Sequence, residues 1–572
     1  MSKYKLLKNS FLLVLCSFAL VQCNKDFLEK PPTDSITDAS FYQTNEQVLS
    51  ATAALYNKVW FDYNDKASYN LGDFRAGTAF SAYNDRGNVL FNTTGVTPEN
   101  GFAWRSFFVV VAQANLFIQN VNRYAGAEVN PDIKKHAIAE ARFMRALAYR
   151  FLVMNWGEVP IIENNQVLLA DTSISRNTVK SVWRFITREM RACEADLLEI
   201  PTHQGRLTKW AARAMLARFY LNRAGVEASG TTRNQSFLDS AKYYAKLVID
   251  NGPFVLQKNY GDLFKFPYDN NSESIFSLQW VYTTPTAWGT QNSAPAYLAY
   301  SADIANGDGW GGDKSATWWM MKMYEGFEDV NNMDTLIKGK TLDQRLHTTF
   351  MMPGARYSEI TQSLYNPPRE QKLIYTPAND AQRVFLAIKK YVCGKAKDMN
   401  GEAASQRYGY DTYMMRLAEL YLIYAEASLG NSPSTTDATT LAYFNKVHTR
   451  SGLPPILPSD PVTGAATPLT FDKIFQERIV EFSMEGMAWY DFVSLHYWNP
   501  QKAYEILNNQ DREIFYCIPN KSPDPDFWEI RKTPWLTANR KINANSGNFL
   551  LPIPAAELAQ APNLQKPAVD YP

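Results

Sequence analysis

The stretch from residue 133 to residue 156, IKKHAIAEARFMRALAYRFLVMNW, decides the fold class. Apolar residues recur in it at three- and four-residue steps, which is the period of an α-helix. These residues are Ala137, Ala141, Met144, Ala148 and Phe151. Gly157 and Pro160 follow closely and are typical helix stop signals. The sequence therefore predicts one long helix over this stretch.

Four further stretches have the same pattern: residues 207–224, 236–249, 413–429 and 471–495. We expect Ser236 to cap the second and Gly486 to interrupt the fourth. Small and large residues alternate in these stretches, so neighbouring helices can approach closely, as in tetratricopeptide repeats with a period near 34 residues. Ala141 and Ala212 are 71 positions apart, close to two such periods. We predict a mainly α fold in which tetratricopeptide-like helix hairpins form a scaffold.

Long stretches between these helices lack helical periodicity and are rich in Gly, Asn, Asp, Pro and aromatic residues. They are residues 60–100, 267–312, 352–383 and 499–548. Loops of this length in a compact protein are usually functional. We expect them, with a few short strands such as residues 275–278, to carry the ligand face.

The composition excludes some classes of protein. The chain has 572 residues, of which 46% are apolar and 20% charged, so it can bury a sizeable core. The 58 Lys and Arg nearly balance the 57 Asp and Glu, whereas a nucleic-acid-binding protein usually has a basic excess. Aromatic residues reach 14%, which suggests that some of them line a binding surface.

The N-terminus predicts an export signal. Three lysines precede the apolar run FLLVLCSFALV at residues 11–21, which is too short to span a membrane and is typical of a signal peptide. The run ends in Leu20-Val21-Gln22-Cys23, which resembles a bacterial lipobox. We therefore expect a signal peptide at 1–22 and a lipidated Cys23 with a polar tether at 23–34. A plain secreted protein is the alternative.

The rest of the chain is divided into an N-terminal helical region at 35–265 and a C-terminal region at 266–572, which we expect to form one compact body. No second apolar stretch approaches eighteen residues, so the sequence predicts a soluble mature body. Cys193, Cys393 and Cys517 share no CxxC spacing and are expected to be isolated, mostly buried thiols, although one long-range disulfide stays possible.

Catalytic and cofactor motifs are weak. The five histidines form no local metal-binding pattern, and we expect no metal and no cofactor. Residues 307–312, GDGWGG, match GxGxxG but follow no convincing strand, so a loop that carries Trp310 is the favoured interpretation. Glu477, Glu481 and Glu485 lie four residues apart and suggest a salt-bridged helix face, with a glycoside hydrolase as the less favoured alternative.

Six blocks of sequence together resemble the SusD/RagB family of outer-membrane nutrient-binding lipoproteins. They are residues 23–32 (CNKDFLEKPP), 139–146 with 157–162, 205–212, 416–427, 477–491, and 551–558. Each block is weak alone, but the six occur in the family's order and span nearly the whole mature chain.

The resemblance implies a non-catalytic, lipid-anchored protein that faces the cell surface from the outer membrane. It implies that the protein binds oligo- or polysaccharides and delivers them to its partner, a SusC-like TonB-dependent outer-membrane transporter. RagB-like capture of peptides is the alternative within the same family.

The candidate ligand residues are aromatic and polar residues outside the periodic helices, because sugar rings stack on aromatic faces while polar side chains bind their hydroxyl groups. From the first irregular stretch they are Trp60, Tyr63, Tyr69, Arg75, Tyr83, Asn84 and Arg86. From the second they are Trp288, Asn292, Tyr297, Tyr300 and Trp310. Trp318 and Trp319 are expected in the core.

Overall fold

A computed structural model gives the architecture of most of the chain. It describes residues 38–81, 86–170, 173–282, 288–325, 337–339, 341–352, 354–364, 369–375, 386–512, 515–519, 528–532 and 541–572. The predicted signal peptide, Cys23 and the tether lie outside the described residues.

In the described part of the chain, ten helices of nine residues or more form the body. They are α1 (Pro98–Tyr124), α2 (Pro131–Trp156), α3 (Val179–Asp196), α4 (Lys209–Val226), α5 (Gln235–Asn251), α6 (Leu417–Leu429), α7 (Ala438–Arg450), α8 (Phe471–Phe482), α9 (Ala488–His496) and α10 (Pro500–Asn508). Short α-helices span Asp38–Phe41, Asn45–Ala51, Arg86–Leu90, Val167–Ala170, Ala294–Leu298, Trp318–Met323, Arg345–Thr349 and Ala555–Gln560.

The long helices pack in series. Each of α1 to α6 packs against the next of the ten long helices, so that α1 to α7 form a continuous row. The α5–α6 pair continues the row although more than 160 residues separate the two helices in the chain. The mainly α fold is confirmed, and the serial pairing is what a scaffold of helix hairpins requires.

The strands in the described ranges have two to nine residues and pair antiparallel. Two-stranded pairs join Ala79–Ser81 to Lys314–Ala316, Ser274–Leu278 to Thr412–Arg416, Arg356–Leu364 to Arg369–Ile374, Ala403–Ala404 to Arg407–Tyr408, and Ser434–Thr435 to Leu469–Thr470. A three-stranded sheet has the order Phe515–Pro519, Trp528–Lys532, Ile337–Gly339. The strand predicted at 275–278 is confirmed.

Several predicted boundaries need correction. Residues 413–416 pair with Ser274–Leu278 as a strand, so the helix predicted from 413 begins at Leu417, because tertiary pairing overrides local propensity. Asn234, not Ser236, caps α5, since its side chain accepts the backbone N–H of Phe237. Helix α10 lies inside the irregular stretch predicted at 499–548.

Helix α1 is long and apolar enough to cross a membrane by length and composition. Half of its most apolar window is buried, and the helix packs against α2. Core helices of soluble proteins have the same composition, so the buried packing accounts for the apolar sequence. Cys193 and Cys393 are buried free thiols, as predicted, and Cys517 lies where side chains are not described.

A close backbone contact joins the N-terminal segment to the turn between α8 and α9. A Cβ at Gly72 would lie 2.2 Å from the carbonyl carbon of Gly486, so only glycine fits there. Next to it, the Asp73 carboxylate accepts the backbone N–H groups of Met484 and Gly486, both at 2.7 Å. Burial raises the pKa of Asp73 to about 6 although these hydrogen bonds oppose the shift.

A buried network of charged side chains joins the region before α6 to α7, to α8 and to the turn after α8. At its centre, Arg416 donates to Glu481 at 3.0 Å, to Glu273 at 2.6 Å and to both oxygens of Glu485 at 2.7 and 2.9 Å. Glu481 also accepts from Arg345 and Arg450. The charged members of the network, whose side chains are at most 5% exposed, are Glu273, Asp343, Arg345, Lys390, Arg416, Arg450, Glu477, Glu481 and Glu485. Opposite charges compensate one another there, which buried ions require.

Removal of one charge from this network is expected to destabilise the fold. Glu481→Gln leaves three buried guanidinium groups undercompensated and is predicted to lower the free energy of unfolding by about 3–5 kcal/mol. Chemical denaturation measures the change. The control is Glu370→Gln, which breaks an exposed ion pair with Lys397 and is expected to have little effect. Equal effects of the two substitutions would contradict this account.

Acid is expected to weaken the same network. Burial alone would raise the pKa of Glu477, but Arg345 and the hydrogen bond to His448 outweigh it and lower the pKa to about 2. A carboxylate whose pKa is lower in the folded than in the unfolded protein stabilises the fold at pH values above its unfolded pKa. This stabilisation is lost as the pH falls toward its folded pKa. The free energy of unfolding should therefore decrease between about pH 4.5 and about pH 2, by on the order of 3 kcal/mol from this group.

Denaturation curves recorded across this pH range test the prediction. Glu477→Gln should flatten the decrease, because the variant has no proton to bind at that position. An unchanged slope in the variant would show that other groups control acid unfolding.

Candidate ligand-binding surface

The structure separates the predicted ligand residues into three groups. Trp60, Tyr69, Arg75, Asn292 and Tyr297 are buried, as is Tyr63. Tyr83 and Asn84 lie outside the described residues, as does the side chain of Arg86. Trp288 and Trp310 are exposed, by 48% and 59%, and Tyr300 is half-buried.

The buried aromatic residues of the first stretch belong to the core. Residues Tyr63–Ala67 and Asn70–Phe74 form π-helical turns, which are wider than α-helical turns and therefore shift the apolar face away from the regular helical period. The Trp60 ring packs edge-on against Tyr63 and Phe151, with centroids at 5.7 and 6.3 Å. The prediction of an irregular loop was wrong here, because the residues lack α-helical spacing but are helical and buried.

The buried polar candidates have protein partners. Arg75 donates to the carbonyl groups of Asn548 and Phe549 at 2.6 and 2.9 Å, and burial lowers its pKa to about 9. Asn292 accepts from the Asn64 amide at 2.7 Å and donates to the carbonyl of Tyr410 at 2.7 Å. Arg75, Asn292, Trp60, Tyr69 and Tyr297 are therefore enclosed by protein, and a ligand contact by any of them stays a prediction.

Within the described residues, two loops present an exposed indole. The first carries Trp288, and its described part at residues 288–292 is called the Trp288 loop. Gly289 follows with φ +101°, and its N–H donates to the side-chain oxygen of Gln291 at 2.8 Å. Phe61 packs edge-on against the Trp288 ring with centroids at 5.6 Å. The Arg407 guanidinium carbon lies 5.6 Å from the ring centroid, within reach of a cation–π interaction. The ring is therefore supported by protein and about half of the residue stays open to solvent.

Trp310 is carried by the second loop, the Trp310 loop (residues 306–312), which contains the glycine-rich motif. A Cβ at Gly311 would lie 2.0 Å from the carbonyl oxygen of Leu298, and a Cβ at Gly309 would lie 2.5 Å from the carbonyl carbon of Ser301. The N–H groups of Trp310 and Gly311 donate to Ala296 and Ala299 at 2.9 and 2.7 Å. The glycines therefore let the loop lie directly on the preceding backbone, where the Trp310 indole is exposed to solvent.

A short hairpin, the linking hairpin (residues 403–408), contacts both loops. Arg407 lies against the Trp288 ring, and the Gln406 amide donates to the carboxylate of Asp308, two residues before Trp310. Tyr408 exchanges backbone hydrogen bonds with Asn292 at 2.9 and 3.0 Å. Its hydroxyl group accepts from the Asn306 amide at 3.4 Å. The two exposed indoles thus belong to one connected surface.

Sequence reasoning missed the hairpin and one further aromatic residue. Tyr282 is exposed, and its backbone and Cβ lie 3.4 and 3.8 Å from where a Cβ at Gly409 would stand, directly after the hairpin. Arg407, Gln406 and Asp308 support the two loops through contacts within the protein: Arg407 lies against the Trp288 ring, and the Gln406 amide donates to the Asp308 carboxylate. Exposed flat rings that are supported in this way suit a ligand with apolar faces.

The acidic helix face is structural. Glu477 and Glu481 are buried and bonded to arginines, with Arg345 at 2.7 Å from Glu477 and 3.1 Å from Glu481. A pair of catalytic carboxylates must face each other across a cleft open to substrate, which these two do not. The glycoside hydrolase alternative therefore loses the residues on which it depended. Within the described residues, no three His, Cys, Asp or Glu side chains converge as a metal site would require.

Comparisons with known protein families identify the chain. Residues 272–571 match the model of the SusD family, and residues 26–221 match a family model described as starch-binding and associating with the outer membrane. A SusD-like protein of Bacteroides ovatus is 33% identical over 99% of both chains. The starch-binding protein SusD of Bacteroides thetaiotaomicron is 23% identical over 67% of each chain.

Solved structures agree with these matches. A crystal structure with a bound xylogluco-oligosaccharide is 32% identical, with a TM-score of 0.77, and covers 92% of this chain and 99% of its own. A SusD-like protein from Bacteroides fragilis shares the fold at 18% identity, with a TM-score of 0.68 over 94% of this chain and 99% of its own. The family resemblance of the sequence is confirmed: the chain belongs to the SusD family.

Proposed function

We propose that this protein binds a glycan at the cell surface through the exposed indoles of Trp288 and Trp310, without changing the ligand covalently. The observation that carries the proposal is the exposure of these two rings on loops connected by one hairpin. Flat apolar rings stack on the C–H faces of sugars, and two such rings on one connected surface can contact one ligand together. Each such contact contributes about 0.5–1.5 kcal/mol, so the affinity should lie nearer micromolar to millimolar than nanomolar.

A glucan of the xyloglucan type is the ligand class that we propose. The support is the structure with a bound xylogluco-oligosaccharide, which is 32% identical to this chain over nearly its whole length. A polymer with several glucose rings in a row offers repeated flat faces, as two separate indoles require. Weak contacts at several rings also suit a protein that has to release its cargo.

We further propose that a lipid on Cys23 anchors the protein in the outer membrane and that a SusC-like TonB-dependent transporter receives the glycan. The lipobox-like sequence before Cys23 supports the anchor, and the match to a family model described as associating with the outer membrane supports the location. Several acyl chains on one cysteine give stable attachment, at roughly 0.8 kcal/mol per buried methylene.

Removal of the two indoles should abolish most of the glycan binding. Trp288→Ala with Trp310→Ala removes two stacking contacts and is predicted to weaken binding to xyloglucan about tenfold or more. Affinity electrophoresis of residues 24–572 against a panel of soluble polysaccharides, with xyloglucan titrated by calorimetry, measures the effect.

The matched control for this test is Tyr243→Ala, which removes an exposed aromatic ring from helix α5 and should leave binding unchanged. If no polysaccharide in the panel binds the wild-type protein, the glycan proposal is refuted. Peptides found by mass spectrometry in the purified protein would then favour RagB-like peptide capture.

The membrane anchor has a separate test in the native host. Cys23→Ala should yield unlipidated protein that leaves the membrane fraction, because the mature chain then lacks its acyl chains. Cell fractionation with labelled palmitate measures both effects. Unchanged membrane retention of the variant would refute the anchor without bearing on glycan binding.

A further inference from the structure

The linking hairpin lies between the two indoles and makes different contacts to each loop. Its strands pair Ala403 with Tyr408 and Ala404 with Arg407, which leaves Ser405 and Gln406 as a two-residue turn. Gln406 has φ +44°, in the left-handed region that residues other than glycine rarely adopt. This backbone conformation, together with its side-chain hydrogen bond, fixes the direction of the Gln406 amide toward Asp308.

Three consecutive hairpin residues contact different parts of the two loops. Gln406 holds the Trp310 loop through Asp308, and Arg407 lies against the ring of Trp288. Tyr408, which is fully buried, anchors the hairpin by its backbone to Asn292 and by its hydroxyl group to Asn306. Asn306 in turn accepts the N–H of Ala396 at 2.9 Å, which connects the Trp310 loop to the chain that leads into the hairpin.

We propose that Gln406 and Arg407 are positioning residues that set the distance and orientation between the Trp288 and Trp310 rings, and thereby determine which glycan lengths bind both rings at once. The inference rests on the proposed function and deepens it. Two contacts on one rigid element act as a bivalent site, whose gain in affinity depends on whether the spacing matches the ligand. If the hairpin held only one of the loops, the distance between the rings would vary, and the gain in affinity from binding both rings would be lost.

The test compares two substitutions in the hairpin with a control in the same turn. Gln406→Asn keeps a residue that tolerates positive φ but shortens the side chain by one methylene, so that it no longer reaches Asp308. Arg407→Met keeps an apolar stem and removes the cation beside Trp288. Ser405→Ala changes the exposed neighbour in the turn and serves as the matched control.

The first measurement is amide hydrogen exchange of the full mature chain without ligand. The double variant Gln406→Asn/Arg407→Met should exchange several-fold faster in both the Trp288 and Trp310 loops, with helix α4 unchanged as an internal reference. Ser405→Ala should match the wild-type protein. Unchanged exchange in both loops, or faster exchange that extends to α4, would overturn the inference.

The second measurement is the affinity for a series of xylogluco-oligosaccharides of increasing length. The wild-type protein should gain affinity when the ligand becomes long enough to contact both rings, and the double variant should lose about three- to tenfold of that gain while it binds the shortest ligands normally. A wild-type length dependence in the double variant overturns the inference. If the Trp288 and Trp310 substitutions still abolish binding in that case, the proposed function stands. If the wild-type protein binds none of these ligands, the proposed function is refuted, and hydrogen exchange decides whether the hairpin holds the two loops.

Discussion

The fold depends on the compensation of charge around Glu481, a carboxylate with no solvent exposure that accepts hydrogen bonds from three arginines. Arg416, the central cation, stands where a strand passes directly into helix α6, and it also binds Glu273 and Glu485. These groups come from segments far apart in sequence. Since an unpaired buried ion is costly, the segments satisfy one another only in this arrangement. The network therefore specifies how the region before α6 lies on the helical row.

The rigidity of this core explains how loops present flat rings. The strand that ends at Arg416 pairs with the strand Ser274–Leu278. After Leu278 the chain continues to Tyr282 and the Trp288 loop. The linking hairpin enters the other strand, because Tyr408 precedes Thr412 by four residues. The Trp288 loop and the linking hairpin are thus attached to a strand pair that the buried charges hold. A binding surface on loops gains affinity when its geometry is prepared before the ligand arrives.

Much of the scaffold could be predicted from the sequence, because helices α2, α4 and α5 have clear periodicity and stop signals. The π-helical turns at Tyr63–Ala67 and Asn70–Phe74 could not, since their wider turns remove the α-helical spacing on which the prediction relies. Trp60 and Tyr69 were consequently predicted on a loop. Residues 413–416 illustrate a different limit, since a strand partner more than 130 positions away decides their conformation.

The candidate site was predictable only in part. Trp288 and Trp310 were identified because aromatic residues among glycines and polar residues suggest exposed loops. The hairpin that connects them was not, because its contacts to Asn292, Asn306 and Asp308 arise only from the three-dimensional arrangement. A crystal structure of the mature protein with a xylogluco-oligosaccharide would decide whether the two indoles bind a glucan. We expect sugar rings stacked on Trp288 and Trp310. A ligand bound elsewhere, with both indoles free, would refute the proposed binding surface.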